Sequence, residues 1–284
     1  PRLPTRTPVR DFIIAGVLAV SSAVALLVGP EFTNDHFKHL AEAQQVLLGS
    51  LPIRDFFSPY GVLETLIAAA IHAVTPSLLG TTIFEAAALG FAYGAVFLLS
   101  RKLGAGTGTA LAAVVIAFAP IARLYSYSKI VLPMLGLVLL WRYTDSPSRR
   151  RLVALAGLVA LAFLTRYDLG VYLALAAAVA ITVAHPIGRL RAAALEVLVC
   201  GTMTLALLTP YLIFVQTQRG LIGHFRTSIL YVSSEANRTG TGRFPVFELA
   251  DAAGGLFDFV PVPNAWPRVS IRWHDIPADQ RHEH

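Results

Sequence analysis

The chain has 284 residues, of which 55% are hydrophobic and only 14% charged, against roughly 25% charged in an average soluble domain. Much of any globule stays wet, so this composition excludes a water-soluble domain and makes lipid part of the solvent. The formal net charge is +6, but the basic residues fall at the ends of apolar runs, where membrane topology needs them. Nucleic acid is therefore not an expected partner, and the single cysteine, Cys200, excludes a disulfide framework and a cysteine metal site.

In chain order, apolar runs predict spans near 11–30, 79–100, 108–124, 128–143, 151–165, 169–185 and 192–214. They approach the roughly 17–25 residues that cross a bilayer as helix, and the ten-residue alternation of a membrane barrel is missing. The fold class is thus all-α, a polytopic membrane protein with about seven transmembrane helices. Run 11–30 has a basic flank, but it is longer than a signal core and lacks a small-residue cleavage site. A first residue that is Pro1 and a polar end at 278–284 read as cuts in a longer protein.

Orientation follows from Lys and Arg. With Arg2, Arg6 and Arg10 cytoplasmic, the turns carrying Arg101 and Lys102, Arg149 to Arg151, and Arg189 with Arg191 also fall inside, the positive-inside pattern. This requires 31–78 to be a first external loop, although 60–74 (YGVLETLIAAAIHAV) is apolar. That stretch is short for a span and contains Glu64 and His72, so it reads as a helix lying in the interface, with a second such helix at 35–49. The core is then 1–216. Residues 217–284 form an extracytoplasmic segment with no span and one strand signal, RVSIRW at 268–273.

The first external loop carries the most informative text. If 35–49 is helical, Asp35, His39 and Glu42 recur at i, i+4 and i+7 and share a face. A carboxylate beside an imidazole is suited to taking a proton from an acceptor hydroxyl. The same residues also suit the wet face of an interfacial helix, with Asp35 as its N-terminal cap. Farther on, Arg54–Asp55 is either a local ion pair fixing the loop or a second acidic position near an acceptor. No Asp-x-Asp occurs and no His, Asp or Glu spacing matches a zinc site. The expectation is no metal and no cofactor, with a divalent cation left open.

Asp35, His39–Leu40, Gly49, Pro52, Arg54–Asp55–Phe56 and Pro59–Tyr60–Gly61 together resemble the first external loop of GT-C glycosyltransferases. These membrane enzymes take sugars from polyprenyl-phosphate carriers. Bacterial members commonly show an acidic pair and a histidine, a Leu-Gly element, a Pro-Tyr-x-Asp-Phe segment and a Pro-x-Gly-Pro turn. The resemblance covers residues 1 to roughly 230, since the succession of spans also fits a GT-C core. This chain departs from the pattern at Asp35–His36 in place of Asp-Glu, at Ile53 in place of an aromatic, and at Val62 in place of the second proline.

The resemblance implies that Asp35 activates the acceptor, with His39, Glu42 and Asp55 supporting that site. It also implies a donor phosphate at the outer interface, where the predicted span ends place Arg123, Lys129 and Arg166. Arginine suits phosphate because its planar fork donates two hydrogen bonds at once. The same residues also fit snorkelling anchors among interfacial tyrosines. Arg166, in the short turn LTRYDLG with Asp168 two residues on, is the basic residue that GT-C members often carry there. His224 and Arg226 follow the last span.

The implied activity is inverting transfer of a sugar from a polyprenyl-phosphate-linked donor to a lipid, glycan or protein hydroxyl. It would take place at the extracytoplasmic face of the plasma (inner) membrane, with membrane lipids as the surroundings. The rival readings are a transporter or flippase of a lipid-linked sugar and a non-catalytic envelope-assembly protein.

Overall fold

A computed structural model describes residues 9–28, 34–58, 60–119, 124 and 127–239, except for the side chains of 34, 35, 187 and 234–239. The predicted strand at 268–273 lies outside these residues. Among them the regular elements are helices, joined by turns and one isolated Pro52–Phe56 bridge. The elements are α1 (Val9–Leu27), α2 (Asn34–Leu47), α3 (Leu63–Val74), α4 (Leu78–Lys102) and α5 (Thr107–Phe118), then α6 (Tyr127–Asp145), α7 (Arg149–Thr165), α8 (Tyr167–Val183), α9 (Leu190–Gln218) and α10 (Leu221–Thr239). The chain divides into two compact units at Ile229 and Leu230. The described part of the second is the helical stretch that ends α10.

Each of the seven apolar runs falls on a helix, and the two helices expected between the first two runs form as α2 and α3. By length and composition three helices are able to cross a membrane: α1, α4 and α9. The others are shorter or more polar. The 12 residues of α5 rise only about 18 Å against a hydrocarbon core of about 30 Å, and α7 opens with Arg149, Arg150 and Arg151. A helix at α10 was not predicted. Its sequence is polar overall, but Leu221, His224, Phe225 and Ser228 recur with helical spacing and are withdrawn from solvent.

Small residues let the helices meet closely. A Cβ added to Gly90 of α4 would lie 2.3 Å from the Ala19 carbonyl oxygen of α1, and one on Gly94 would lie 2.8 Å from that of Ala15. Backbone contact through residues four apart is how membrane helices associate when burial of apolar surface supplies little drive. Beside this seam, Leu89, Tyr93 and Phe97 pack with Val114 of α5. A second core joins α6, α7 and α8 through Leu132, Leu158 and Leu173. A third brings Tyr143, Leu155 and Ile181 onto Cys200 of α9.

Polar contacts fix which helix ends coincide. Asp11, 1% exposed, pairs with Arg101 at 2.9 Å, tying the start of α1 to the end of α4. Lys102 reaches Asp145 at the end of α6 at 3.5 Å. The Tyr143 hydroxyl donates to Glu196 near the start of α9, and His185, after α8, lies 3.6 Å from the same carboxylate. One end of the bundle therefore gathers Arg10, Arg101, Lys102, Arg142 and Arg149 to Arg151. The opposite end gathers α2, α3, the turn between α7 and α8, and the end of α9.

Candidate functional site

The site is built on the segment between α2 and α3. Gly49, at φ +93°, ends α2 in a conformation only glycine adopts freely. Asp55 then closes a tight turn. Its carboxylate accepts from the Leu51 N–H at 2.7 Å and from the Arg54 guanidinium at 2.7 Å. The Arg54 hydrogen bond, and after it that of Leu51, hold the exposed Asp55 carboxyl below its ordinary range. Asp55 is thus committed to its own turn, the structural alternative weighed from sequence.

Ile53 has φ +73°, an unusual conformation for a β-branched residue. Three contacts over-determine it. Its N–H donates to the Phe56 carbonyl at 2.9 Å, Arg219 at the end of α9 donates to its carbonyl at 2.6 Å, and its side chain is buried with Tyr211 and Val215. Position 53, where the resemblance led to an aromatic, is a buried anchor for the loop.

Gly61 completes the docking. A Cβ there would sit 1.9 Å from the Leu164 carbonyl oxygen, so only glycine lets the loop lie on the last turn of α7. That contact brings Tyr60 to Arg166, the residue between α7 and α8. The guanidinium lies 4.5 Å from the centre of the Tyr60 ring, and the Lys38 ammonium of α2 is 5.1 Å from the same ring, both within cation–π range. Asp168 binds Arg166 at 3.0 and 3.2 Å. Burial by itself lowers the Arg166 value, but the Asp168 hydrogen bond and charge raise it overall. The guanidinium remains a full cation while only 15% exposed.

Next to this pair stands a buried acidic and imidazole cluster. Glu64, in the first turn of α3, accepts from the Ser128 hydroxyl of α6. His36 of α2 lies 3.5 Å from Glu85 of α4. Glu64, His36 and Glu85, together with His39 and Tyr127, line a cavity of about 20 Å³, room for one water-sized group. Burial raises the Glu64 carboxyl. The Ser128 hydrogen bond and the charges of Arg166 and Lys129 oppose that shift, and Glu85 adds to it. A third group joins α8, α9 and α10, where the Tyr167 hydroxyl meets the Tyr211 hydroxyl at 2.6 Å and His224 Nε2 at 2.9 Å. Burial, helped by Arg219, lowers His224 and favours its neutral form.

The residues singled out from sequence are distributed as follows. Asp35 is in the first turn of α2, with its side chain outside the described part, and Arg123 lies outside the described residues altogether. His39 lines the small cavity. Glu42 is buried, accepts from the Thr65 hydroxyl of α3 at 2.7 Å and lies 3.8 Å from Lys38. The α2 face carrying His39 and Glu42 therefore packs on α3 instead of facing water. Lys129 is exposed on α6 beside Ser128, and its charge reaches Glu64.

Sequence reasoning missed His36, Glu85 and the role of Glu64 and Tyr60. The signal was present, since a carboxylate inside an otherwise apolar run is a functional candidate in a membrane protein. Glu64 served only as a reason to keep α3 out of the membrane, and Glu85 went unremarked in its span. Among the described residues no group of three or more His, Cys, Asp or Glu is placed to hold a metal ion. No protein-family model, characterised protein or solved structure matches the chain.

Proposed function

We propose that the chain is an integral membrane glycosyltransferase of the GT-C type, moving a sugar from a polyprenyl-phosphate donor to an acceptor hydroxyl at the extracytoplasmic face. The observation that carries this reading is the approach of Arg166 to Tyr60. It joins the two stretches of sequence that the resemblance assigns to acceptor and donor phosphate, although more than a hundred residues separate them.

In this mechanism the acceptor oxygen attacks the anomeric carbon and gives its proton to the Asp35 carboxylate. The bond from that carbon to the phosphate oxygen breaks, and its electron pair leaves with the polyprenyl phosphate. Arg166, aided by Lys129, holds the departing dianion. Asp168 and Tyr60 orient the guanidinium, and Glu42 and Glu64 position α2 and α3 around the acceptor side. An inverted anomeric configuration follows from a single displacement.

The test is transfer from a panel of radiolabelled polyprenyl-phosphate sugars by the protein in proteoliposomes. Wild-type transfer that disappears in Asp35→Asn, with donor still retained, supports the reading. Full transfer by a folded Asp35→Asn protein overturns the base assignment. The transport alternative draws on Glu85 and His36, titratable groups buried against a candidate span. It requires movement of donor across the vesicle membrane without any change in the sugar linkage.

A further inference from the structure

A long groove runs along the bundle between α1 and α6, floored by α4, with a volume of about 380 Å³. Small residues form part of its walls, among larger apolar ones such as Phe12, Phe91 and Met134. Ala15, Gly16 and Ala19 face it from α1 and Gly94 and Ala95 from α4, while Val138 of α6 stands across. A Cβ on Gly16 would meet nothing within 4 Å. An apolar groove of this kind does not hold water, and two of the helices forming it, α1 and α4, are long and apolar enough to cross a bilayer.

Its ends differ. At the basic end of the bundle the groove finishes on Lys102, Trp141 and Arg142. Lys102 lies 5.7 Å from the Trp141 ring and 3.5 Å from Asp145, and the Trp141 indole N–H donates to Asp145 at 2.9 Å. A tryptophan with basic neighbours marks the depth where acyl chains give way to headgroups. Arg142 is exposed and, among the described residues, makes no ion pair. Arg149 and Arg150 begin the next helix a few residues on, also exposed.

We propose that this groove binds one anionic phospholipid of the surrounding leaflet. An acyl chain lies along Gly16 and Val138, and the phosphate is held by the Arg142 fork and the Lys102 ammonium. The site stands at the end of the bundle opposite Arg166, so it does not depend on the glycosyltransferase reading.

The experiment is native mass spectrometry of the detergent-purified full chain. It is titrated with phosphatidylglycerol, with phosphatidylcholine of the same chain length, and with glycerol phosphate, which has no chain. Phosphatidylglycerol is retained in preference to phosphatidylcholine, and glycerol phosphate is not retained. Arg142→Ala and Lys102→Ala each weaken phosphatidylglycerol about five-fold and weaken phosphatidylcholine less, because its choline cation already offsets the phosphate charge, so the preference shrinks. Gly16→Phe fills the groove and removes both lipids, and Arg189→Ala, away from the groove, changes nothing. Equal retention of the two lipids by the wild type overturns the proposal. So does a phosphatidylglycerol preference that survives in both cation variants, or glycerol phosphate binding as tightly as the lipid. The cation variants, at exposed or half-exposed positions, keep the test valid even where Gly16→Phe fails to fold.

Discussion

The Arg166 guanidinium stands 4.5 Å from the centre of the Tyr60 ring, in a contact made across 106 positions of sequence. It depends on the loop between α2 and α3 lying on the end of α7, and it sets a cation where the proposed donor phosphate would arrive. A cation over a desolvated ring is worth about 0.5–2 kcal/mol. Tyr60→Ala is therefore expected to weaken retention of a polyprenyl-phosphate sugar by about 2- to 30-fold, with Tyr60→Phe close to wild type. Arg166→Lys keeps the charge but loses the fork, and it is expected to weaken retention more than Tyr60→Phe does. Titration of radiolabelled donor against the three variants checks this order.

Gly61 has no room for a side chain against Leu164. Gly61→Ala must lift the loop off α7 or displace the α7 carbonyl, at a cost of about 1–3 kcal/mol for overpacking. Transfer and thermal stability in detergent should fall together, because the same displacement separates Tyr60 from Arg166. A Gly49→Ala comparison isolates this effect, since Gly49 needs its positive φ but has open space around it. That variant should lose stability with a smaller loss of transfer.

Glu64 makes stability depend on pH. Burial raises its carboxyl above the ordinary 4.5, so the unfolded chain ionises at lower pH than the folded one. Below 4.5 the contribution is fully present, and it is lost as pH rises through the elevated folded value. The wild-type melting temperature should therefore fall with pH across the window that opens at 4.5. Glu64→Gln keeps a carbonyl to accept from Ser128 and cannot ionise, so this part of the decline should disappear. Melting curves of the two proteins at matched pH values decide the matter.

Thr65 supplies a hydrogen bond to Glu42 at 2.7 Å within the α2–α3 contact. Thr65→Val preserves shape and removes the donor, leaving a buried carboxylate with fewer partners, which costs about 1–3 kcal/mol. Thr65→Ser keeps the hydroxyl and should recover most of that stability. Urea or thermal unfolding in detergent, followed by circular dichroism, measures the difference.

Asp55 was a candidate near the acceptor, but its two strongest contacts are with its own turn, at Leu51 and Arg54. Asp55→Asn retains an acceptor for the Leu51 N–H, so transfer and donor retention should remain close to wild type. A large loss of transfer with an intact fold would return Asp55 to the reacting groups.

Much of the helical layout was legible because apolar runs broken by basic turns leave a chain in lipid few alternatives to helix. The backbone must satisfy its own hydrogen bonds there. The same reasoning expected α2 and α3 as short helices apart from the long apolar runs, since Glu64 and His72 shorten the apolar stretch. It did not reach α10, whose withdrawn face alternates Leu221 and Phe225 with His224 and Ser228 and so shows only half of the apolar signature that periodicity detects. Nor could it tell that the face of His39 and Glu42 is covered, because amphipathic spacing marks a face without naming what lies against it.

By itself, the sequence determined that α1 to α9 are helices suited to lipid, their order along the chain and the gathering of positive charge at alternate turns. These follow from local composition and from what a low-dielectric solvent permits. Only the tertiary structure decided that Tyr60 meets Arg166, that Glu64 and Ser128 join α3 to α6, and that His36 and Glu85 face one cavity. Such pairings depend on close backbone approach at Gly61, Gly90 and Gly94, where the absence of a side chain selects the neighbour. That selection is a property of two surfaces together, and a single stretch of residues carries only half of it.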